Sequence, residues 1–346
     1  MRSMHYAGII LMCALAAVQV VGQDDTAGPT NEKAQKSYQE AMSYLKRHQW
    51  VAAFEGFKKA DKQDGGHCHA CQQEIIKSAM GLGEWKAAEA AALEMVEDAQ
   101  GPKSSAIAHY EFGTVLMNEG SAKHKDELYA RSHDEFSKAL ALAPNFPVAV
   151  YQDGLALAHM NQDDAAKALF ERYVKMVSAD DLLQQRARFF ANHPAMAREK
   201  LAPLFSITTV DGQHISLEDL RGKVVLIDFW ATWCGPCREA VPHMKRIAKK
   251  FQGEPLVIVS VSIDSDEKKM KDFIAKNEMS WLNCWDGSPD GPMAKMFSVH
   301  AIPHTFTIDV DGVLQDEQVG DAAIEGKLKK QLARAREMQE ADKAAR

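Results

Sequence analysis

Val224-Val225-Leu226-Ile227-Asp228-Phe229-Trp230-Ala231-Thr232-Trp233-Cys234-Gly235-Pro236-Cys237 is the most informative passage of the chain. Its first four residues form a continuous apolar run, the pattern of a strand covered on both faces. Beyond Cys237, the residues Val241, Met244, Ile247, Ala248 and Phe251 recur at the spacing of an amphipathic helix. The cysteine pair therefore stands where a buried strand hands over to a helix, with Cys234 at the helix N-terminus. There the unpaired backbone N–H groups and the macrodipole favour an anion, by about 0.3–1 kcal/mol on a surface and up to ~2 in a sheltered site. About 1.4 kcal/mol is one pKa unit. The thiolate is the reactive form of cysteine, so this placement favours nucleophilic chemistry at Cys234. Cys237 lies one helical turn on, on the same face and farther from solvent. It is placed to attack a mixed disulfide formed by Cys234 and to release the partner.

The pattern continues outward from this passage. Leu256-Val257-Ile258-Val259 is a second apolar run, followed by Met270, Phe273 and Ile274 at helical spacing. Trp281-Leu282-Asn283-Cys284-Trp285 alternates as a strand does, with Cys284 read as a buried, inert thiol. Thr305-Phe306-Thr307-Ile308 reads as a strand, Asp311-Gly312 as a hairpin turn, and Ile324, Leu328 and Leu332 as one face of a closing helix. An α/β domain is predicted over residues 200–335, with a charged tail at 336–346.

Residues 31–195 read differently, as Ala-rich helix throughout. Gln49-Trp50-Val51-Ala52-Ala53 and Glu84-Trp85-Lys86-Ala87-Ala88 are the same phrase 35 residues apart, and Phe136 and Phe170 are aligned aromatics 34 apart. Ala143-Pro144-Asn145 closes a helix as a repeat boundary would. A period of this length is that of paired-helix repeats.

Two resemblances follow. Residues 31–195 resemble tetratricopeptide repeats, in about four degenerate units; such units stack into a solenoid whose concave surface binds proteins. The bland alternative is an irregular helical bundle with no ligand. Residues 224–237 look like the thioredoxin superfamily, and Pro203-Leu204-Phe205, Asp211-Gly212, Leu217 and Leu220-Arg221-Gly222-Lys223 resemble the leading hairpin of its exported TlpA/ResA branch. The fold class implied is a two-domain α plus α/β chain: a tetratricopeptide-like α-solenoid followed by a thioredoxin fold, a central mixed β-sheet flanked by helices.

The second resemblance implies a thiol-disulfide oxidoreductase in which Cys234 attacks and Cys237 resolves. Asp228, six residues before Cys234, matches the superfamily's interior acid; desolvation would raise its pKa and let it move the resolving thiol's proton. Ile302-Pro303 matches the proline that the superfamily holds in cis against the cysteine pair. Together with Trp233, Gly235 and Pro236 it implies the substrate-docking surface. Pro242 matches a helix-kinking proline. The sequence departs from the branch at Ala240, where an acid is usual (Glu239 is one position early), and at His304, where Thr is usual and a surface histidine is the simplest reading. Gly235-Pro236 between the cysteines resembles reducing members. The implied partners are protein disulfides, from cytochrome c maturation factors to general envelope proteins, and an upstream thiol electron donor. No cofactor or metal is implied beyond the redox-active disulfide Cys234–Cys237.

A second pair, in His67-Cys68-His69-Ala70-Cys71, opens the second repeat. Haem attachment is excluded because residue 72 is Gln. A structural cystine, a second redox pair and a zinc site remain open, although one helical turn cannot place four ligands tetrahedrally.

Composition constrains the rest. With 346 residues, two domains are the prior. Forty-one basic residues against 48 acidic ones give a net charge of -7, which offers nucleic acid no attraction. Residues 1–22 carry Arg2, a 16-residue apolar run from Tyr6 to Val21, and Gly22 before a polar stretch, resembling a secretory signal peptide. An uncleaved N-terminal anchor is the alternative. A periplasmic or envelope address follows, with no transmembrane segment once the leader is removed. Of six cysteines, Cys13 lies in the leader and five remain. Two rival functions are a scaffold whose repeats work while the thioredoxin-like module is inert, and a peroxidase. The latter would need a Thr-Pro dipeptide ahead of its cysteine, which is absent.

Overall fold

The computed structural model describes residues 28–47, 49–319 and 324–344. The leader at 1–22 and Cys13 lie outside them. The chain forms two compact units that divide between Arg198 and Glu199. Among the described residues, no helix is long and apolar enough to cross a membrane.

The first unit is helical, built of antiparallel pairs. They are α1 (Glu32–Lys46) with α2 (Trp50–Gln63), α3 (His69–Leu82) with α4 (Trp85–Asp98), α5 (Gly101–Lys123) with α6 (Asp126–Leu142), and α7 (Pro147–His159) with α8 (Asp163–Met176); α9 (Leu182–Asn192) follows. The repeated Trp phrases open α2 and α4, the second helix of each pair, and Pro stands in the first turn of α5 and α7, where its missing N–H costs no hydrogen bond. The pairs bury small residues against aromatic ones. Phe136 and Phe170 are fully buried, each with its ring against a glycine of the preceding helix, Gly113 and Gly154.

The second unit opens with a hairpin, β1 (Ser206–Thr208) paired antiparallel to β2 (His214–Ser216), turning at Gly212 with φ +87°. Its main sheet comprises β3 (Val224–Trp230), β4 (Leu256–Ser262), β5 (Leu282–Trp285), β6 (His304–Ile308) and β7 (Leu314–Val319), in the order β5-β4-β3-β6-β7. The β3–β4 and β4–β5 pairs are parallel, whereas β6 runs antiparallel to both β3 and β7. Every residue of the central strand β3 is buried, as the unbroken apolar run requires. Helices α10 (Gly235–Lys250), α11 (Glu267–Lys276), α12 (Pro292–Met296) and α13 (Ile324–Ala344) complete the unit. Val224 and Leu226 pack with Met244 and Ile247 of α10 and with Leu328 and Leu332 of α13, so alternate residues of β3 face these helices. The charged stretch read as a tail from 336 onward continues α13 as far as Ala344. Its upstream apolar stripe anchors the helix in the core, and the helix runs on past it.

Candidate active site

Strand β3 ends at Trp230, and four residues later Cys234 caps α10. Its Sγ accepts the backbone N–H of Cys237 at 3.2 Å, which satisfies one of the unpaired donors of the helix's first turn. Pro236 sits in that turn, where its fixed φ suits a helix start. Cys234 and Cys237 are joined by a disulfide, with residue exposures of 6% and 3%. Trp233 and Pro236 are exposed beside them and Gly235 is half-buried, so the pair lies at the surface with its rim accessible.

Opposite the pair, the Ile302–Pro303 peptide is cis. The Ile302 carbonyl oxygen lies 3.8 Å from Cys234 Sγ. Ile302 is half-buried and Pro303 buried. A cleft of about 400 Å³ lined by Phe205, Val261, Cys284, Trp285 and Met293, among others, does not include the pair. The exposed Trp233 and Pro236 beside the pair suit contact with an extended polypeptide.

Asp228 sits in the middle of the sheet, in register with Ser260 of β4 and Thr305 of β6. It shares the face of β3 that packs on α10, two and four residues on from Leu226 and Val224. Burial pushes its carboxyl up to about 6, against a hydrogen bond from Ser260 Oγ at 3.1 Å that lowers it. The Ser260 hydroxyl is held in turn by Trp281 Nε1, which donates to it at 2.8 Å. Glu239, by contrast, is exposed.

His304 departs from the surface reading. It is buried, with its ring stacked on Phe306 at 4.5 Å. Strand β6 lies inside the sheet between β3 and β7, and His304 is in register with Phe229 of β3. Its Nε2 comes within 3.2 Å of Glu317 Oε1, close enough for attraction but misdirected for a hydrogen bond. Burial lowers its pKa despite Glu317.

Asp264, just past the end of β4, was not singled out by the sequence reading. Its buried carboxylate accepts Thr232 N–H at 2.9 Å, Thr232 Oγ1–H at 2.7 Å and Ser262 Oγ–H at 2.7 Å. Through Thr232 it fixes the approach to Cys234. The signal was present: Ser260, Ser262 and Asp264 alternate with apolar residues along a strand that should be covered on both faces, and buried polar groups need partners.

Cys284 lies on β5, buried and unpaired, its thiol pushed up to about 12 by burial and by Asp211 and Asp286. Cys68 and Cys71 form their own disulfide at the start of α3.

A mixed sheet whose central strand delivers a cysteine pair to a helix N-terminus, across from a cis-proline, defines a redox protein of the thioredoxin fold. Comparison with known proteins narrows the class. Residues 199–317 match the AhpC/TSA family. Over 145 residues, 41% of this chain and 83% of the relative, the chain is 32% identical to the thiol-disulfide oxidoreductase ResA of Bacillus cereus. It is 37% identical over 119 residues to the thioredoxin-like protein YneN of Bacillus subtilis, covering 34% of this chain and 69% of that one. A crystal structure of a putative thiol:disulfide interchange protein DsbE from Chlorobium tepidum is 29% identical, covers 40% of this chain and 96% of its own, and superposes with a TM-score of 0.35. The chain belongs to the ResA-type thiol-disulfide oxidoreductases.

Proposed function

We propose that this enzyme is an exported reductase of protein disulfides, with Cys234 as nucleophile, Cys237 as resolving thiol and Asp228 as proton carrier. The observation that carries the reading is the position of Cys234, capping α10 with its sulfur on the Cys237 N–H. In the reduced enzyme the Cys234 thiolate attacks one sulfur of the substrate disulfide, and the other sulfur leaves as a thiolate. Cys237 then passes its proton to the Asp228 carboxylate and attacks Cys234 Sγ, releasing the second substrate thiol and closing the Cys234–Cys237 disulfide. A carboxyl with a pKa of about 6 is ionised at neutral pH yet far more basic than a surface aspartate, which suits it to this transfer.

The exposed Trp233, with Gly235, Pro236, Ile302 and Pro303, supplies the docking rim. Two electrons are carried by the cysteine pair itself, so the reading calls for no bound cofactor or metal. Another thiol donor must re-reduce the pair. The Gly-Pro dipeptide between the cysteines supports the reductive direction, and the leader-like residues 1–22 support export. The paired helices of the first unit would recruit a protein partner, in the manner of the tetratricopeptide repeats they resemble.

Insulin reduction followed by turbidity tests the reading. The wild-type chain should accelerate precipitation in dithiothreitol and Cys234→Ser should lose that activity; a reduced but inactive wild type would leave the scaffold reading in its place. The Cys237→Ala variant should hold substrates as mixed disulfides at Cys234, identifiable by mass spectrometry.

A further inference from the structure

The disulfide at the start of α3 repeats the local architecture of the recognised pair. Cys68 caps α3 as Cys234 caps α10, and in each the capping sulfur accepts the backbone N–H of the second cysteine at 3.2 Å. The exposures are similarly low, 2% and 0% for Cys68 and Cys71. The bond closes a ring within the first turn of one helix and ties no two elements together. A crosslink over so short a span restrains the unfolded chain least, so bracing explains it poorly.

A buried acid stands beside this pair as well. Asp61, near the end of α2, has 8% of its surface exposed, the same fraction as Asp228. Its Oδ1 accepts the Cys68 N–H at 3.2 Å. Burial raises its pKa, opposed by that hydrogen bond; of its charged neighbours, Asp98 on α4 and Asp64 at the end of α2 raise it further and His67 lowers it. Glu94 on α4 also faces it. His67, exposed and immediately before Cys68, places Nδ1 2.9 Å from Asp98 Oδ2.

We propose that Cys68–Cys71 is a second redox-active disulfide, with Asp61 as its proton carrier, that exchanges two electrons with a protein dithiol of the Cys-x-x-Cys class. A donor thiolate attacks Cys68 Sγ and breaks the Cys68–Cys71 bond, and Cys71 leaves, taking the proton held by Asp61. The donor's second thiolate attacks its own sulfur in the mixed disulfide, forming the donor disulfide and releasing Cys68 as a thiolate at the helix N-terminus. The donor is oxidised by two electrons and the pair is reduced by two. Of the donor's two thiol protons, one replaces the proton that Asp61 gave to Cys71 and the other goes to solvent while Cys68 remains a thiolate.

The full-length chain carrying Cys234→Ser and Cys237→Ser isolates the site. It is equilibrated under native conditions in graded ratios of reduced to oxidised dithiothreitol, quenched in acid, denatured and alkylated, and its new thiols are counted by mass. Two thiols should appear and disappear reversibly with the ratio while the far-ultraviolet dichroism stays helical. Exchange should be slower than at Cys234–Cys237 in the Cys68→Ser, Cys71→Ser chain, because Cys68 is the less exposed. Thiols that appear only in denaturant, or a helical signal lost on reduction, would overturn the proposal. Mixing the reduced Cys68→Ser, Cys71→Ser chain with the oxidised Cys234→Ser, Cys237→Ser chain should move thiols from the first to the second, whereas retention by both would exclude a Cys-x-x-Cys donor of this kind. Asp61→Asn keeps an acceptor for the Cys68 N–H but cannot titrate. It should remove the carboxyl's step from the pH profile of exchange, and an unaltered profile would remove Asp61 from the mechanism.

Discussion

Asp228 lies buried inside the sheet, so ionising it there is harder than in the unfolded chain, even though Ser260 donates a hydrogen bond that favours the carboxylate. Its native pKa, about 6, stands above the ordinary 3.8, so between those values the unfolded state releases a proton that the native state keeps. Asp228 therefore costs nothing below about pH 4, and its destabilisation grows until about pH 6 and stays constant above. Asp228→Asn should stabilise the protein by on the order of 3 kcal/mol at pH 7 and by nothing at pH 4, measured by urea unfolding at both. The same substitution should slow release of trapped substrate by roughly 10²-fold or more, as loss of a positioned proton carrier does. Asp264 makes the opposite case: Asp264→Ala strands the N–H and hydroxyl of Thr232 and the Ser262 hydroxyl, and should cost about 2–4 kcal/mol in the same unfolding assay. Of these two acids, Asp228 was legible in the sequence through its place in the motif, whereas the alternation around Asp264 signalled a buried polar group without naming its partner. Asp264 takes its meaning from Thr232, 32 residues away, a contact that no local pattern encodes.

At the scale of elements, the helical pairs meet through glycines as much as through apolar side chains. A Cβ on Gly113 would stand 2.7 Å from the ring of Phe136, and one on Gly154 would stand 2.9 Å from that of Phe170; both rings are fully buried and have little room to yield. Overpacking of this kind costs about 1–3 kcal/mol, against a helix-propensity gain of about 1 for replacing glycine. Gly113→Ala and Gly154→Ala should each lower stability by about 1 kcal/mol or more. Gly81 in α3 has open space where a Cβ would go, and Gly81→Ala should raise stability by up to about 1 kcal/mol. Thermal denaturation of the three variants separates these outcomes. The aromatic partners showed in the sequence as a 34-residue spacing, but their glycines did not. Gly113 and Gly154 are 41 residues apart because α5, with 23 residues, is longer than the other helices of the pairs and breaks the period.

For the molecule as a whole, the change from helical periodicity to short apolar runs marked where the text of one unit gives way to the other, and the division falls between Arg198 and Glu199. The parallel β3–β4 pair was readable from its two apolar runs. The β6–β7 hairpin was readable from Asp311-Gly312, but the pairing of β6 with β3 was not, because strand order depends on pairings far apart in sequence. Burial of His304 was misjudged for the same reason: only the neighbouring strands reveal that β6 has a partner on both sides. All of the chemistry assigned to the second unit depends on a Cys234 thiol acidified where β3 hands over to α10. Alkylation of the reduced full-length chain by iodoacetamide across pH 4–10, with Cys234 followed by peptide mass, measures that directly. The account predicts a midpoint at least one unit below the roughly 8.5 of free cysteine, with Cys284 unreactive throughout; a Cys234 midpoint at or above 8.5 would contradict it.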